Sequence, residues 1–153
     1  VESLKFTKGS RYDMPLQLSF FTLLSEELQK KAFISKHDGL ELAVLFTGRG
    51  LKEKTELEFK GIWQREENLL IYMIDELVQV NIIIKNKLNS LIEHHFKINN
   101  VASQRYSYEP RKPQNYKEID SIIISVINKI TDDEESHRKV MAAIIEQAKE
   151  NTK

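Results

Sequence analysis

The sequence predicts an all-α fold: a helical bundle around one long central helix over about 63–96, followed by a C-terminal helical hairpin. Three observations predict it. Only 5 Gly and 3 Pro punctuate 153 residues, so long stretches run without a breaker. From Trp63 to Phe96 there is neither, and Leu70, Ile74, Leu77, Asn81, Ile84, Leu88, Leu91 and His95 advance in helical steps of three or four. Beyond residue 115, two sets of capping residues each open an amphipathic run.

The first helix starts at Asp13, an N-cap residue type, with Pro15 in the opening turn, where a missing N–H costs nothing. Leu16, Phe20, Leu23, Leu24 and Leu28 share one face, and the helix is expected to end near Lys31. Ser35 and Asp38 then resemble a capping box, and Gly48 supplies a left-handed stop, which predicts a short buried helix over Leu40 to Thr47. A competing α+β reading makes Leu40 to Phe46 a strand that turns at Gly48-Arg49-Gly50 and pairs with Thr55 to Phe59. Leu4 to Thr7 adds an edge, giving a small N-terminal sheet.

The central helix carries Asp75, Gln79, Asn86, Asn89 and Glu93 opposite its apolar stripe. At about 1.5 Å per residue it would reach roughly 50 Å, longer than a compact domain of this size is wide, so it either kinks or protrudes. The run Val80, Ile82, Ile83, Ile84 is the expected weak place, because β-branched side chains crowd a helical backbone. Tyr72, Ile82 and Ile83 fall off the main stripe, which implies cover on more than one side.

Residues 99–117 change character, with Pro110, Pro113 and three tyrosines, and read as an extended connection. Asn115 with Glu118 is expected to cap a helix whose inner face is Ile119, Ile122, Ile123, Val126, Ile127 and Ile130. Thr131 with Glu134 caps the last helix, on which His137, Met141, Ile144, Ile145 and Ala148 share a side. The chain thus reads as one domain: a helical core over 1–98, the connection over 99–117, and a hairpin over 118–153 packed on the core.

Composition narrows function. The 23 basic and 23 acidic residues balance, which removes the strongly basic surface of a general nucleic-acid binder and leaves room only for a local strip. The absence of Cys excludes disulfides, thiolate metal sites and a cysteine nucleophile, and makes the cytoplasm the expected compartment. No run approaches the roughly 18 consecutive apolar residues of a membrane span, and Val1 to Arg11 lacks the apolar middle of a signal peptide.

Two candidate sites emerge. Residues 97–118 hold five basic against two acidic side chains with tyrosines interleaved, and Arg105, Tyr106, Tyr108, Arg111 and Lys112 carry the pattern. Basic groups hold phosphates and tyrosine faces stack on unpaired bases, so the strip is a candidate contact for single-stranded nucleic acid or for an acidic partner. A solvated loop whose tyrosines staple it to the helices explains the same residues. The second candidate is an oligomer seam of Leu77, Asn81, Ile84 and Leu88. An amide in an apolar stripe needs a partner, and self-pairing across a twofold axis supplies one, as does a bond to a neighbouring helix of the same chain.

His37, His94, His95 and His137 show no metal-ligand spacing, and adjacent His94 and His95 point in different directions on a helix, so no metal and no cofactor is expected. Glycine-rich phosphate loops and nucleophile elbows are absent, and the acidic pairs sit at helix starts, where the dipole favours them. The expected function is a non-catalytic helical protein–protein interaction module, regulatory or scaffolding, self-associating as a homodimer or built into an assembly. The alternative is a nucleic-acid-binding regulator that uses the 97–117 strip.

Overall fold

The computed structural model describes residues 12–35, 63–83, 93, 100–102, 104 and 112–151. These residues form helices and no strand: α1 (Met14–Lys30), α2 (Glu67–Gln79), α3 (Tyr116–Asp132) and α4 (Glu134–Asn151). α3 meets each of the other three, and α1 packs against both α3 and α4. The short helix over 40–47, its strand alternative over 40–46 and 55–59, and the edge over 4–7 all lie outside the described residues.

α1 begins as the sequence indicates, with Asp13 Oδ1 accepting from the Leu16 N–H at 3.2 Å and Pro15 in the first turn. Its burial goes further than one face. Leu16, Leu18, Phe20, Phe21, Leu24 and Leu28 are all buried, and so are Gln17, Ser19 and Ser25 between them. A helix enclosed on most sides must tie off its polar groups. Gln17 Nε2 donates to the Tyr12 carbonyl at 2.7 Å, and Ser25 Oγ accepts from Gln29 Nε2 at 3.1 Å.

α1 ends with a Schellman motif. The Phe33 N–H donates to the Leu28 carbonyl at 2.9 Å and the Ala32 N–H to that of Gln29 at 3.1 Å, with Ala32 left-handed at φ 61°. The same motif closes α2: Ile82 N–H to Leu77 O at 3.0 Å, Asn81 N–H to Val78 O at 3.0 Å, and Asn81 at φ 65°. In both, the residue after the left-handed one (Phe33, Ile82) and the residue whose carbonyl it closes on (Leu28, Leu77) are fully buried, so an apolar pair locks each stop.

The second motif corrects the expectation of one continuous helix over 63–96. The helix stops at Gln79, where the β-branched run begins, because Asn takes the left-handed stop position at little cost and Ile82 can then turn inward. α2 is therefore 13 residues long. Among the described residues α2 packs on α3, while α1 packs on both α3 and α4. Tyr72, Ile82 and Ile83 are buried, as their place off the stripe implies.

The ends of α1 and α2 are pinned to each other. Ile34 and Trp63 form an isolated antiparallel bridge, the Gln64 N–H donates to Phe33 O at 2.8 Å, and the Phe33 and Trp63 rings lie 5.9 Å apart. Arg65 lays its guanidinium 4.5 Å above the Phe33 ring and donates to the Lys31 and Ala32 carbonyls, which the end of α1 leaves open.

The start of the connection is not extended. Val101, Ala102 and Gln104 are helical; the Gln104 N–H donates to Asn100 O at 2.9 Å. Val101 is buried and its N–H donates to Glu93 Oε2 at 3.3 Å, so an apolar side chain draws this turn inward.

α3 buries Ile119, Ile122, Ile123, Val126 and Ile130, with Ile127 partly covered, which is the face its spacing defines. Both expected caps differ. Asn115 stands at the start of α3 in the left-handed region, φ 69°, and its side chain caps nothing, because side-chain capping needs an extended backbone at that position. Thr131 remains inside α3 and its hydroxyl donates back to Ile127 O at 2.9 Å. Asp133 separates α3 from α4 and accepts from the Ser136 N–H at 3.2 Å, the role expected of Thr131. Met141 is buried and Ile144 partly covered against the core. Among the described residues no helix is long and apolar enough to cross a membrane.

Candidate functional site

Among the described residues two polar clusters join the helices, and of the selected strip and seam residues Lys112 takes part in the first. The first lies between α2 and α3. Tyr72 is buried on α2, and its hydroxyl donates to Asp120 Oδ1 on α3 at 2.8 Å. Its ring meets Tyr116 edge-on, with centroids 5.8 Å apart, and Lys112 places its ammonium 4.8 Å above the Tyr116 ring. Glu76 stands one turn after Tyr72 on the same helix and is half-buried. Burial, reinforced by the bond to Asp120 and by the charges of Glu76 and Asp120, pushes the Tyr72 phenol far above its usual range, so it stays a donor. Burial first, then the charge of Asp120, raises the Glu76 carboxyl; Lys112 and the Tyr72 hydroxyl oppose that rise.

The second cluster centres on His137 of α4. Its Nε2 lies 3.0 Å from the Lys129 carbonyl and its Nδ1 lies 3.3 Å from Ser19 Oγ. A carbonyl only accepts, so Nε2 carries the hydrogen, and in the neutral ring Nδ1 accepts from the Ser19 hydroxyl. The Lys129 carbonyl is in the last turn of α3, where intrahelical donors run out. His137 thus closes the end of α3 while tying α4 to α1. Arg138 beside it spans Asp13 at 2.9 Å and Glu135 at 2.6 Å, and Glu27 of α1 accepts from Lys129 at 2.8 Å. The Ser19–His137 contact has the composition of a nucleophile and base. Ser19, however, is 5% exposed in the interior of α1, so a substrate has no approach to its hydroxyl.

Of the strip residues, Lys112 is described, exposed and drawn onto Tyr116; Arg105, Tyr106, Tyr108 and Arg111 lie outside the described residues. Of the seam, Leu77 is buried within the chain's own core, and Asn81 is exposed at the helix stop. Ile84 and Leu88 lie outside the described residues. Asn81 stands at the left-handed stop of α2 rather than inside a continuous helical stripe.

Sequence reasoning did not select Ser19, Asp120 or Glu76. Tyr72 and Glu76 stand four apart on a helix, a spacing visible in the sequence. Ser19 and His137 are separated by 118 positions, and no local pattern links them. Among the described residues no group of three metal-ligating side chains comes together. No family model, no curated protein and no solved structure matches the chain.

Proposed function

We propose that the chain is a non-catalytic helical protein–protein interaction module of the cytoplasm, regulatory or scaffolding in task, which self-associates or joins an assembly. The observation that carries this reading is the commitment of His137 at both ring nitrogens, to Ser19 and to the Lys129 carbonyl. The described groups with the greatest capacity for acid–base or nucleophilic work serve as ties between helices. Asp120 and Tyr72 are spent in the same way. The described end of the basic strip points in the same direction, since Lys112 and Tyr116 pack toward Tyr72, as in the stapled-loop account. Among the described residues, Ile124 of α3 and Val140 of α4, each 58% exposed, are large apolar side chains that the C-terminal helices offer to a partner.

Sedimentation equilibrium of the purified chain tests the self-associating form. The mass of two chains is expected at high micromolar concentration, and Ile124→Lys with Val140→Lys is expected to shift the equilibrium toward the single chain without lowering helicity. The mass of one chain throughout removes the homodimer.

A further inference from the structure

α4 differs from α3 in what holds it to the fold. Among its described side chains Met141 is buried and Ile144 partly covered, whereas α3 buries Ile119, Ile122, Ile123, Val126 and Ile130. Polar ties to the α1 side add to this grip: His137 to Ser19 at 3.3 Å and Arg138 to Asp13 at 2.9 Å. α4 accordingly lies on α1 far more than on α3. The hinge that returns it there is one residue, Asp133, between Asp132 and Glu134. No Gly or Pro occurs from Tyr116 to Asn151, so the local sequence permits one helix straight through the hinge. The bend is held by a few bonds. Asp133 accepts from the Ser136 N–H at 3.2 Å, and the Lys129 carbonyl in the last turn of α3 takes His137 Nε2 at 3.0 Å. In a straight helix that carbonyl would take the Asp133 N–H, which here donates to Ile130 O at 3.2 Å.

We propose that α4 is exchanged between two copies of this chain: α3 and α4 straighten through Asp133 into one helix, and the α4 of each copy docks on the α1 of the other. The exchange gives the self-associating form proposed for this chain its mechanism, and rests on that reading. The site fixes its occupant, because Ser19 and Asp13 on the α1 side receive His137 and Arg138 equally from either copy. These contacts are the same in the closed and exchanged forms. The balance therefore lies in the hinge and in surface newly covered between the copies, for which Ile124 and Val140 are exposed. A hinge of one residue invites exchange, since it leaves no slack for the return.

The chain has no cysteine, so nitroxide labels can be attached through Lys117→Cys on α3 and Gln147→Cys on α4, both exposed positions. Labelled chain is refolded from urea with excess unlabelled chain, so that distances within one chain are read. Monomer and dimer are then separated by size exclusion and measured by double electron–electron resonance. In the dimer a distance of about 45 Å is expected, from a helical rise of about 1.5 Å per residue, against a shorter one in the monomer. A dimer that keeps the monomer's distance overturns the exchange and leaves self-association standing, whereas a chain that is monomeric throughout removes both. Two hinge variants give an independent reading by sedimentation equilibrium. Asp133→Ala removes the bond to Ser136 in each copy and is expected to tighten the dimer about tenfold. A flexible Gly-Ser insertion after Asp133 supplies slack for the return and is expected to loosen it. An affinity that either variant leaves unchanged overturns the proposal.

Discussion

The Ile82 N–H donates to the Leu77 carbonyl at 3.0 Å, and together with the bond from the Asn81 N–H to Val78 O it ends α2. It requires Asn81 to be left-handed, which costs most residues about 1–2 kcal/mol and Gly or Asn much less. Asn81→Leu is therefore expected to destabilise the chain by about 1 kcal/mol in denaturant unfolding and to leave its sedimentation unchanged. A changed oligomeric state in this variant would return Asn81 to a seam.

Ala32 occupies the equivalent position after α1 without the help of a glycine or an asparagine. Relief of the left-handed strain, less the entropy that glycine loses on folding, is expected to make Ala32→Gly more stable by about 0.5–1 kcal/mol. The denaturation midpoint reads it, and a destabilised variant contradicts the assigned cap.

These two stops show what the sequence discloses and what it conceals. The helical class, the Asp13 cap and the inner face of α3 follow from local spacing and are present. The break near residue 80 was signalled by the β-branched run, yet Asn81 also fits the apolar spacing of Leu77 and Ile74, so a three-to-four rhythm and a helix stop compete for the same residue. Propensity alone does not decide between them, whereas the burial of Ile82 does. Near-complete enclosure of α1 does not follow from its apolar spacing, because Gln17, Ser19 and Ser25 are polar and yet buried. For Ser19 the bonding partner lies on α4, brought close only by the tertiary fold.

His137→Ala removes two hydrogen bonds and leaves the Lys129 carbonyl and the buried Ser19 hydroxyl without their imidazole partner. Loss of about 1–3 kcal/mol is expected in urea unfolding, with part of it restored by Ser19→Ala in the same chain, since both ends of that contact are then gone. Strict additivity of the two substitutions contradicts the tie.

Glu27 gives a pH prediction of ordinary sign. The hydrogen bond from Lys129 lowers its carboxyl, burial opposes that, and Lys30 adds to the lowering. Its contribution is present above the ordinary carboxyl value and is lost as pH falls through the depressed one. Lys129 is 45% exposed, so solvent screening limits the effect to about 0.5–1 kcal/mol. Glu27→Gln is expected to cost that much at pH 7 and nothing at pH 2, read from melting curves at the two values.

The central claim, that this chain works by holding protein partners, is tested most directly by capture from the native source with both protein-mass and nucleic-acid readout. Wild-type chain is compared with the Ile124→Lys, Val140→Lys double variant. The account predicts a stoichiometric protein, either a second copy or another chain, that is retained by the wild type, lost from the variant and free of nucleic acid. Nucleic acid recovered without a protein partner, or the same proteins recovered with both chains, would contradict it.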